Sequence, residues 1–122
     1  MPERRILAVN PGGMTTKLAV YAGAKEALTR TIDHDRAELE AFERVPDQLE
    51  HRLDAIRKTL REAGELDRSF DAVVGRGGLF RPIPSGAYEV NEQMLDDARE
   101  GYAGQHASNL GALIADALVK EL

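Results

Sequence analysis

The stretch from Ile6 to Val20 limits what this chain can fold into more than any other part of the sequence. An unbroken apolar run, Ile6–Val9, enters the turn Asn10–Gly13, and two hydroxyl residues and Lys17 lead into a second apolar segment. Glycines allow a turn to bring backbone N–H groups close to an anion, and hydroxyls and a lysine add further donors. The stretch therefore predicts a β-hairpin that holds phosphate, although Pro-Gly and Gly-Gly pairs also occur in turns without a ligand. The spacing differs from that of a Walker loop.

Composition narrows the function classes further. The chain has 122 residues, which is enough for one domain with its own core. A net charge of −5 leaves no basic stripe for phosphate neutralisation, so we expect no nucleic-acid partner and no membrane partner. The absence of cysteine excludes disulfides and thiol catalysis. With no signal peptide or membrane-spanning run expected, these features favour a cytoplasmic protein.

The order of apolar segments predicts an α/β fold. Short loops separate three strands, at 4–9, 17–21 and 27–32, which is typical of an antiparallel meander. Helices follow, and a fourth strand at 69–75 is expected to run parallel to the first after a helical crossover. The continuous Ile6–Val9 run predicts that the first strand is central and covered on both faces.

Four helices are expected after the meander. Asp35 is predicted to cap the first, and Pro46 to open the second, which ends at Gly64. The second helix carries an apolar stripe, and we place Arg52 with the charged residues outside it. The stripe residues are Leu49, Leu53, Ile56 and Leu60.

Farther along, residues 87–90 are expected to form a short strand. Asn91 is predicted to cap a helix that ends near Arg99, and Ser108 to cap the last helix. Asp96 and Asp97 are interpreted as part of a solvated helix face.

Arg76 lies at the end of the fourth strand, between Gly75 and the pair Gly77-Gly78. Open α/β sheets bind ligands at strand ends, and a guanidinium suits carboxylate or phosphate. The alternative is a surface arginine in a flexible loop. We favour the binding role, because so many glycines would be a poor choice for loop stability alone.

The segment 104–111 contains His106 and Asn109 just before a predicted helix, where anions bind favourably. Local packing or capping by the histidine explains the same pattern. His34 and His51 are interpreted as ordinary surface residues, and the three histidines do not have the spacing of a metal site.

Four motifs in this order resemble the butyrate kinase family, which is grouped with acetate kinase and, more widely, with sugar kinases, actin and chaperone ATPases. The resemblance extends from Arg5 to about Leu118. The motifs are Asn10-Pro11-Gly12 with Thr15-Thr16-Lys17; Gly75–Leu79; Pro82–Gly86; and His106–Ala112.

The resemblance implies a ribonuclease H-like α/β domain, one of two that flank a cleft for ATP and Mg²⁺. The γ-phosphoryl group would pass to the carboxylate of butyrate or a similar short fatty acid in a reversible reaction. The family also implies a cytoplasmic homo-oligomer. Residues 1–122 would form the N-terminal domain alone, since these kinases are about three times as long.

By position, the resemblance assigns Asn10 and Arg76 to catalysis. Phosphate and ATP binding would fall to Asn10, Gly12, Gly13, Thr15, Thr16 and Lys17. Substrate binding would fall to Arg76, Gly77, Gly78, His106 and Asn109, and none of these residues is assigned as a metal ligand. Gly13 and Met14 stand where the family usually has hydroxyl residues.

Two alternatives stay open at this point. The departures at Gly13 and Met14 would also fit a module that binds nucleotide or a partner without catalysis. The acid could also be acetate, propionate or a branched acid. The volume of Leu79, Phe80, Ile83 and Pro84 favours an acyl group larger than acetate.

Overall fold

The computed structural model describes residues 3–78, 84, 86–102, 104 and 106–122. Its strands are β1 (Arg5–Pro11), β2 (Thr15–Ala22), β3 (Lys25–Asp33) and β4 (Ala72–Gly75); its helices are α1 (Arg36–Glu40), α2 (Leu49–Glu62), α3 (Glu92–Glu100) and α4 (Leu110–Glu121). Short 3₁₀ turns cover Val45–Gln48, Glu65–Asp67 and Ala107–Asn109.

The four strands form one mixed sheet in the order β3-β2-β1-β4. β1 and β2 are antiparallel, as are β2 and β3, whereas β4 runs parallel to β1. The crossover from β3 to β4 passes through α1 and α2. The predicted α/β class, the three-strand meander and the parallel fourth strand are all confirmed.

The sheet has an inner face that α2 and α4 cover. Leu7 and Val9 of β1 alternate with less buried neighbours and are almost completely inaccessible, as are Leu18 and Val20 of β2. β1 is central, as predicted, but complete cover on both faces was wrong for the described residues. Its outer side chains are half-buried, and Val74 beside them is 51% exposed.

The helix boundaries mostly follow the predicted capping residues. Asp35 Oδ1 accepts the backbone N–H of Glu38 at 3.1 Å, and Asn91 Oδ1 accepts that of Met94 at 2.9 Å. Gly64, with φ +74°, follows α2 in the left-handed conformation that glycine adopts without strain. Pro46 lies in the 3₁₀ turn that leads directly into α2.

Three local predictions were wrong. Residues 87–90 form no strand. Asp97 is 3% exposed rather than solvated, and it accepts a hydrogen bond from Gln93 Nε2 at 2.9 Å. The fourth strand begins at Ala72 rather than Ser69, because Ser69 O accepts from the Arg5 guanidinium instead of joining the sheet.

Candidate functional site

Three polar residues lie at neighbouring backbone positions at the carboxyl end of β1. Asn10 lies directly opposite Lys17 in the register of β1 and β2, so the two side chains share a face. On the other side of β1, the Arg76 N–H donates to Val9 O at 2.9 Å, which places Arg76 next to Asn10. Lys17 and Arg76 are both exposed. Two cations and a neutral amide therefore face one region of solvent.

The loop after β4 passes very close to the start of α4. A Cβ atom placed on Gly75 would lie 2.1 Å from Gly111 O, and one on Gly77 would lie 2.9 Å from Ser108 Cβ. Gly77 and Gly78 also have positive φ, at +84° and +128°. The glycines around Arg76 therefore allow backbone packing and turn geometry, which is a structural reason for them beyond ligand access.

The segment before α4 is built around His106. Its Nδ1 atom accepts the Ser108 N–H at 3.1 Å and lies 2.7 Å from Ser108 Oγ. His106, rather than Ser108, thus caps the 3₁₀ turn, which corrects the predicted cap. Asn109 is 1% exposed and donates to Gly104 O at 2.9 Å. The turn contacts β1, and its Ser108 lies against Gly77 just after β4, so this segment lies at the same end of the sheet.

The hairpin turn between β1 and β2 is narrow. Gly12 N–H donates to Thr15 O at 2.7 Å, and His34 N–H donates to Met14 O at 2.9 Å. A Cβ atom on Gly13 would meet nothing within 4 Å, and Met14 is 39% exposed. The tip of the turn therefore faces open space rather than the core.

The inner side of the same turn holds a buried polar group. Arg52 of α2 is completely inaccessible, and its Nη1 atom donates to Thr15 O at 3.0 Å and to Thr16 Oγ1 at 3.2 Å. Thr16 Oγ1 also lies 2.7 Å from His34 Nε2. Its hydroxyl is therefore occupied inside the fold, facing away from Asn10 and Lys17.

Two interpretations of the sequence were wrong here. Arg52 lies beneath the hairpin rather than outside the apolar stripe, and His34 is 9% exposed rather than a surface residue. His51 packs its ring against His34 and Phe42 and contacts Glu38 at 3.5 Å. The sequence spacing contained one indication that Arg52 is buried. Arg52 lies three positions after Leu49 and one before Leu53, both in the apolar stripe, so it lies beside the buried face of the helix.

The surroundings of His34 favour its neutral form. Burial lowers its pKa below 6.5, and the positive charges of Arg52 and His51 lower it further, against an opposing effect of Asp33. Below about pH 6.5 the unfolded chain therefore binds a proton that the folded domain does not. Stability should fall with decreasing pH through this window, until the folded histidine also becomes protonated.

We expect His34→Gln to remove that component of the pH dependence. Urea unfolding at several pH values between 5 and 8 would measure the free energy of unfolding of both proteins. Below about pH 6.5, the free energy of unfolding of wild type should fall more steeply with decreasing pH than that of the variant. Above pH 7, the difference in free energy between the two proteins should be constant. Parallel curves for the two proteins across the whole range would contradict this assignment.

Comparison with known proteins identifies relatives along nearly the whole chain. Over 116 residues, 95% of the chain, it is 46% identical to butyrate kinase 2 of Clostridium acetobutylicum. Identity to butyrate kinase 1 of the same organism is 45% over 97% of the chain, and to a probable butyrate kinase of Listeria monocytogenes 45% over 96%. The chain is homologous to butyrate kinases. It spans about a third of the length of these relatives, 33% in each case, and no family model matches it.

Most of the predicted site residues of this kinase homologue lie together in the fold. Asn10, Lys17 and Arg76 share one corner, and the hairpin turn and the 106–109 segment border it. Thr16 and Asn109 are exceptions, because the Thr16 hydroxyl is bound inside the fold and the side chain of Asn109, 1% exposed, donates to Gly104 O. Of the residues expected to surround the acyl group, Leu79, Phe80 and Ile83 lie outside the described residues, as does most of the motif Pro82–Gly86.

The described residues show little that could bind a metal directly. Within them, no three His, Cys, Asp or Glu side chains gather into a cluster, and none of their helices is long and apolar enough to cross a membrane.

A cavity of about 240 Å³ lies at the opposite end of β1, between Glu3, Arg5 and Glu65. An ion pair of Arg5 with Glu65 at 2.5 Å occupies its wall, and none of the predicted site residues lines it.

Proposed function

We propose that this chain is the N-terminal domain of a two-domain acyl kinase that transfers the ATP γ-phosphoryl group to butyrate or a similar short or branched acid. The observation that carries the proposal is the neighbouring placement of Asn10, Lys17 and Arg76 at one end of the sheet in a homologue of butyrate kinases. We further propose that the complete enzyme is a cytoplasmic homo-oligomer.

The chemistry needs alignment and charge neutralisation more than covalent help from the protein. A carboxylate oxygen of the acid attacks the γ-phosphorus, the bond from phosphorus to the β,γ-bridging oxygen breaks, and ADP leaves with that electron pair. The products are an acyl phosphate and ADP, and the reverse reaction makes ATP. Lys17 and Arg76 would offset charge on the moving phosphoryl group, and Asn10 would donate a hydrogen bond from its amide.

The residues of the hairpin fit phosphate better than they fit a bare metal ion. Among Asn10, Thr15 and Lys17 the oxygen ligands are neutral, whereas Mg²⁺ in such sites usually takes one or two carboxylates together with the substrate phosphates. When bound, Mg²⁺ would neutralise phosphate charge. We assign this chain's residues to the phosphoryl groups, with Gly13 making contact through its backbone and Thr15 through its hydroxyl. Gly12, whose N–H donates to Thr15 O at 2.7 Å, would shape the turn instead.

The remaining predicted residues take supporting places in this proposal. Gly77 and Gly78 would shape the loop beside the substrate, and His106 would border the acyl side of the cleft. Asn109, which is buried and donates to Gly104 O, would support that segment from within. Thr16 would stabilise the hairpin from within, because its hydroxyl is already bound by Arg52 and His34.

A coupled assay of acyl phosphate formation with the full-length enzyme would test the proposal. With ATP and Mg²⁺, we expect turnover of about 1–100 per second, the usual range for kinases, and a higher kcat/KM for butyrate or isobutyrate than for acetate. The 122-residue chain alone should form no acyl phosphate, because it would supply half of the cleft. No ATP-dependent product from the full-length enzyme with any of the three acids would refute the proposal.

A second candidate is a module of the same fold that binds nucleotide or a partner without catalysis. Gly13 and Met14 favour it, because the resemblance implies hydroxyl residues at these two positions, where they could contact phosphate or metal-bound water. Calorimetry of the full-length protein with ATP and Mg²⁺ would separate the two. Heat of binding together with turnover supports the kinase, and binding without turnover supports the module.

A further inference from the structure

Arg52 is the most completely buried charged group in the described part of the chain, at 0% exposure. Its guanidinium donates five hydrogen bonds. Nε and Nη2 donate to Gln48 Oε1, at 3.1 and 2.9 Å. Nη1 donates to Thr15 O and to Thr16 Oγ1, and Nη2 also donates to Gly13 O at 3.3 Å. One side chain of α2 thus bonds to three of the four residues 13–16 around the hairpin tip.

The acceptors around this cation are neutral. No carboxylate forms an ion pair with Arg52 within the described ranges, and burial lowers its pKa without removing its charge at neutral pH. Buried charges in proteins are ordinarily compensated by an opposite charge, because the loss of water is costly. An anion on the far side of the hairpin turn would provide part of that compensation.

The contacts also fix which way the turn faces. The carbonyls of Gly13 and Thr15 point inward to Arg52, and Met14 O is held by His34 N–H. Carbonyl oxygens facing an incoming phosphate would repel it, whereas backbone N–H groups attract it. With these three successive carbonyls already bonded to Arg52 and His34, none of them is free to face an incoming phosphate.

We propose that Arg52 is a positioning residue for phosphate binding: it orients the hairpin turn Gly12–Thr15 from beneath and supplies a buried positive charge to the phosphoryl groups bound above it. This inference rests on the proposed function, because it concerns the same hairpin. It adds a residue of α2 that touches neither ATP nor the acid.

The test compares four variants in the full-length enzyme. Arg52→Met removes the charge and the fork of donors, Arg52→Lys keeps the charge but loses the fork, and Gln48→Met keeps Arg52 but removes its anchor. Arg57→Met is the matched control, since Arg57 is an arginine on the same helix whose partners are Asp54, Glu50 and Glu121. All assays are run at a temperature at which circular dichroism shows each variant to be folded.

We expect Arg52→Met to lower kcat/KM for ATP about 100-fold, the size of effect that a small misplacement of reacting groups produces. Arg52→Lys should recover part of that loss, and Gln48→Met should cause a smaller loss in the same direction. KM for the acid should change little in all three. Arg57→Met should match wild type, since a partly exposed ion pair contributes about 0–1 kcal/mol to stability and does not touch the hairpin.

Binding of ATP and of inorganic tripolyphosphate, measured by calorimetry, separates failure of this inference from failure of the proposed function. Wild-type kinetics and affinity in a folded Arg52→Met protein would overturn the positioning role while the kinase assignment stands. If Arg52→Met does not fold, wild-type values in both Arg52→Lys and Gln48→Met overturn it. If wild type binds these phosphates without turnover, the kinase assignment is refuted. The positioning role of Arg52 is then judged from the phosphate affinities of the variants alone. If wild type binds neither, both proposals are overturned.

Discussion

Gly75→Ala is expected to destabilise the domain by about 3 kcal/mol or more, at or above the upper end of the usual cost of overpacking. The added Cβ would lie 2.1 Å from Gly111 O and 2.4 Å from Gly111 C, both of them backbone atoms. A side chain can rotate away from such a contact, but here β4 and α4 would have to separate. Such a loss is a large share of a typical total of about 5–15 kcal/mol.

The strain cannot be relieved cheaply, because α4 is the most apolar helix of the core. Leu110, Leu113, Ile114 and Leu118 are at most 2% exposed, so a shift of α4 would open the packing around all four. The same contact positions Arg76 and the 106–109 turn relative to each other. We therefore expect Gly75→Ala to impair the site as well as the fold.

Urea denaturation, followed by circular dichroism, would measure the change in the free energy of unfolding. Gly13→Ala is the matched control, since its Cβ would meet nothing within 4 Å and Gly13 is not among the glycines with positive φ. The control should lie within about 1 kcal/mol of wild type, as for glycine replacements at compatible positions. Equal stability of Gly75→Ala and Gly13→Ala would show that β4 and α4 are not held in this contact.

The sequence was sufficient to predict the sheet because local patterns determine its strands. The Ile6–Val9 run, the Asn10–Gly13 turn and the short loop at Gly23 specify consecutive antiparallel strands without reference to distant residues. The parallel position of β4 also followed, since a helical crossover between β3 and β4 restricts the connection. These predictions rest on periodicity and turn chemistry, which one sequence contains.

Long-range contacts made the site harder to predict. The sequence around Arg52 does not predict that its guanidinium donates hydrogen bonds to Thr15 and Thr16, which are 37 and 36 positions away. An arginine beside an apolar stripe normally reaches water, so burial of this one depends on acceptors supplied by the hairpin. His34 was misjudged for the same reason, because its partner Thr16 lies across the β2–β3 pairing.

The glycines around Arg76 have a packing role that the sequence did not indicate. The sequence indicated a ligand site at the end of β4, and the fold brings Arg76 beside Asn10. However, Gly75 and Gly77 are also required by the approach of Gly111 and Ser108, a tertiary contact that spacing does not reveal. Packing alone is thus sufficient to explain these glycines, and a mutation is needed to separate it from the proposed binding role of Arg76.

Arg76→Ala makes that separation, and we expect it to lower kcat/KM for the acid about 10³-fold or more, the scale on which arginines stabilise phosphoryl transfer. The backbone N–H of Arg76 holds Val9 O at 2.9 Å, and this bond does not depend on the side chain. The side chain is exposed, and no described residue forms an ion pair with its guanidinium. Stability should therefore change by no more than about 0.5 kcal/mol.

Steady-state kinetics of the full-length enzyme would measure the effect, with ATP and the acid varied separately. Arg76→Lys should retain part of the activity, because it keeps the charge but cannot bind two oxygens at once. Arg61→Ala, an exposed arginine near the end of α2, is the control and should behave as wild type. A fall in kcat would assign Arg76 to the transition state, whereas a rise in KM for the acid alone would assign it to carboxylate binding. Unchanged kcat and KM in Arg76→Ala would remove Arg76 from the site, leaving Asn10 and Lys17 as its charged and polar centre.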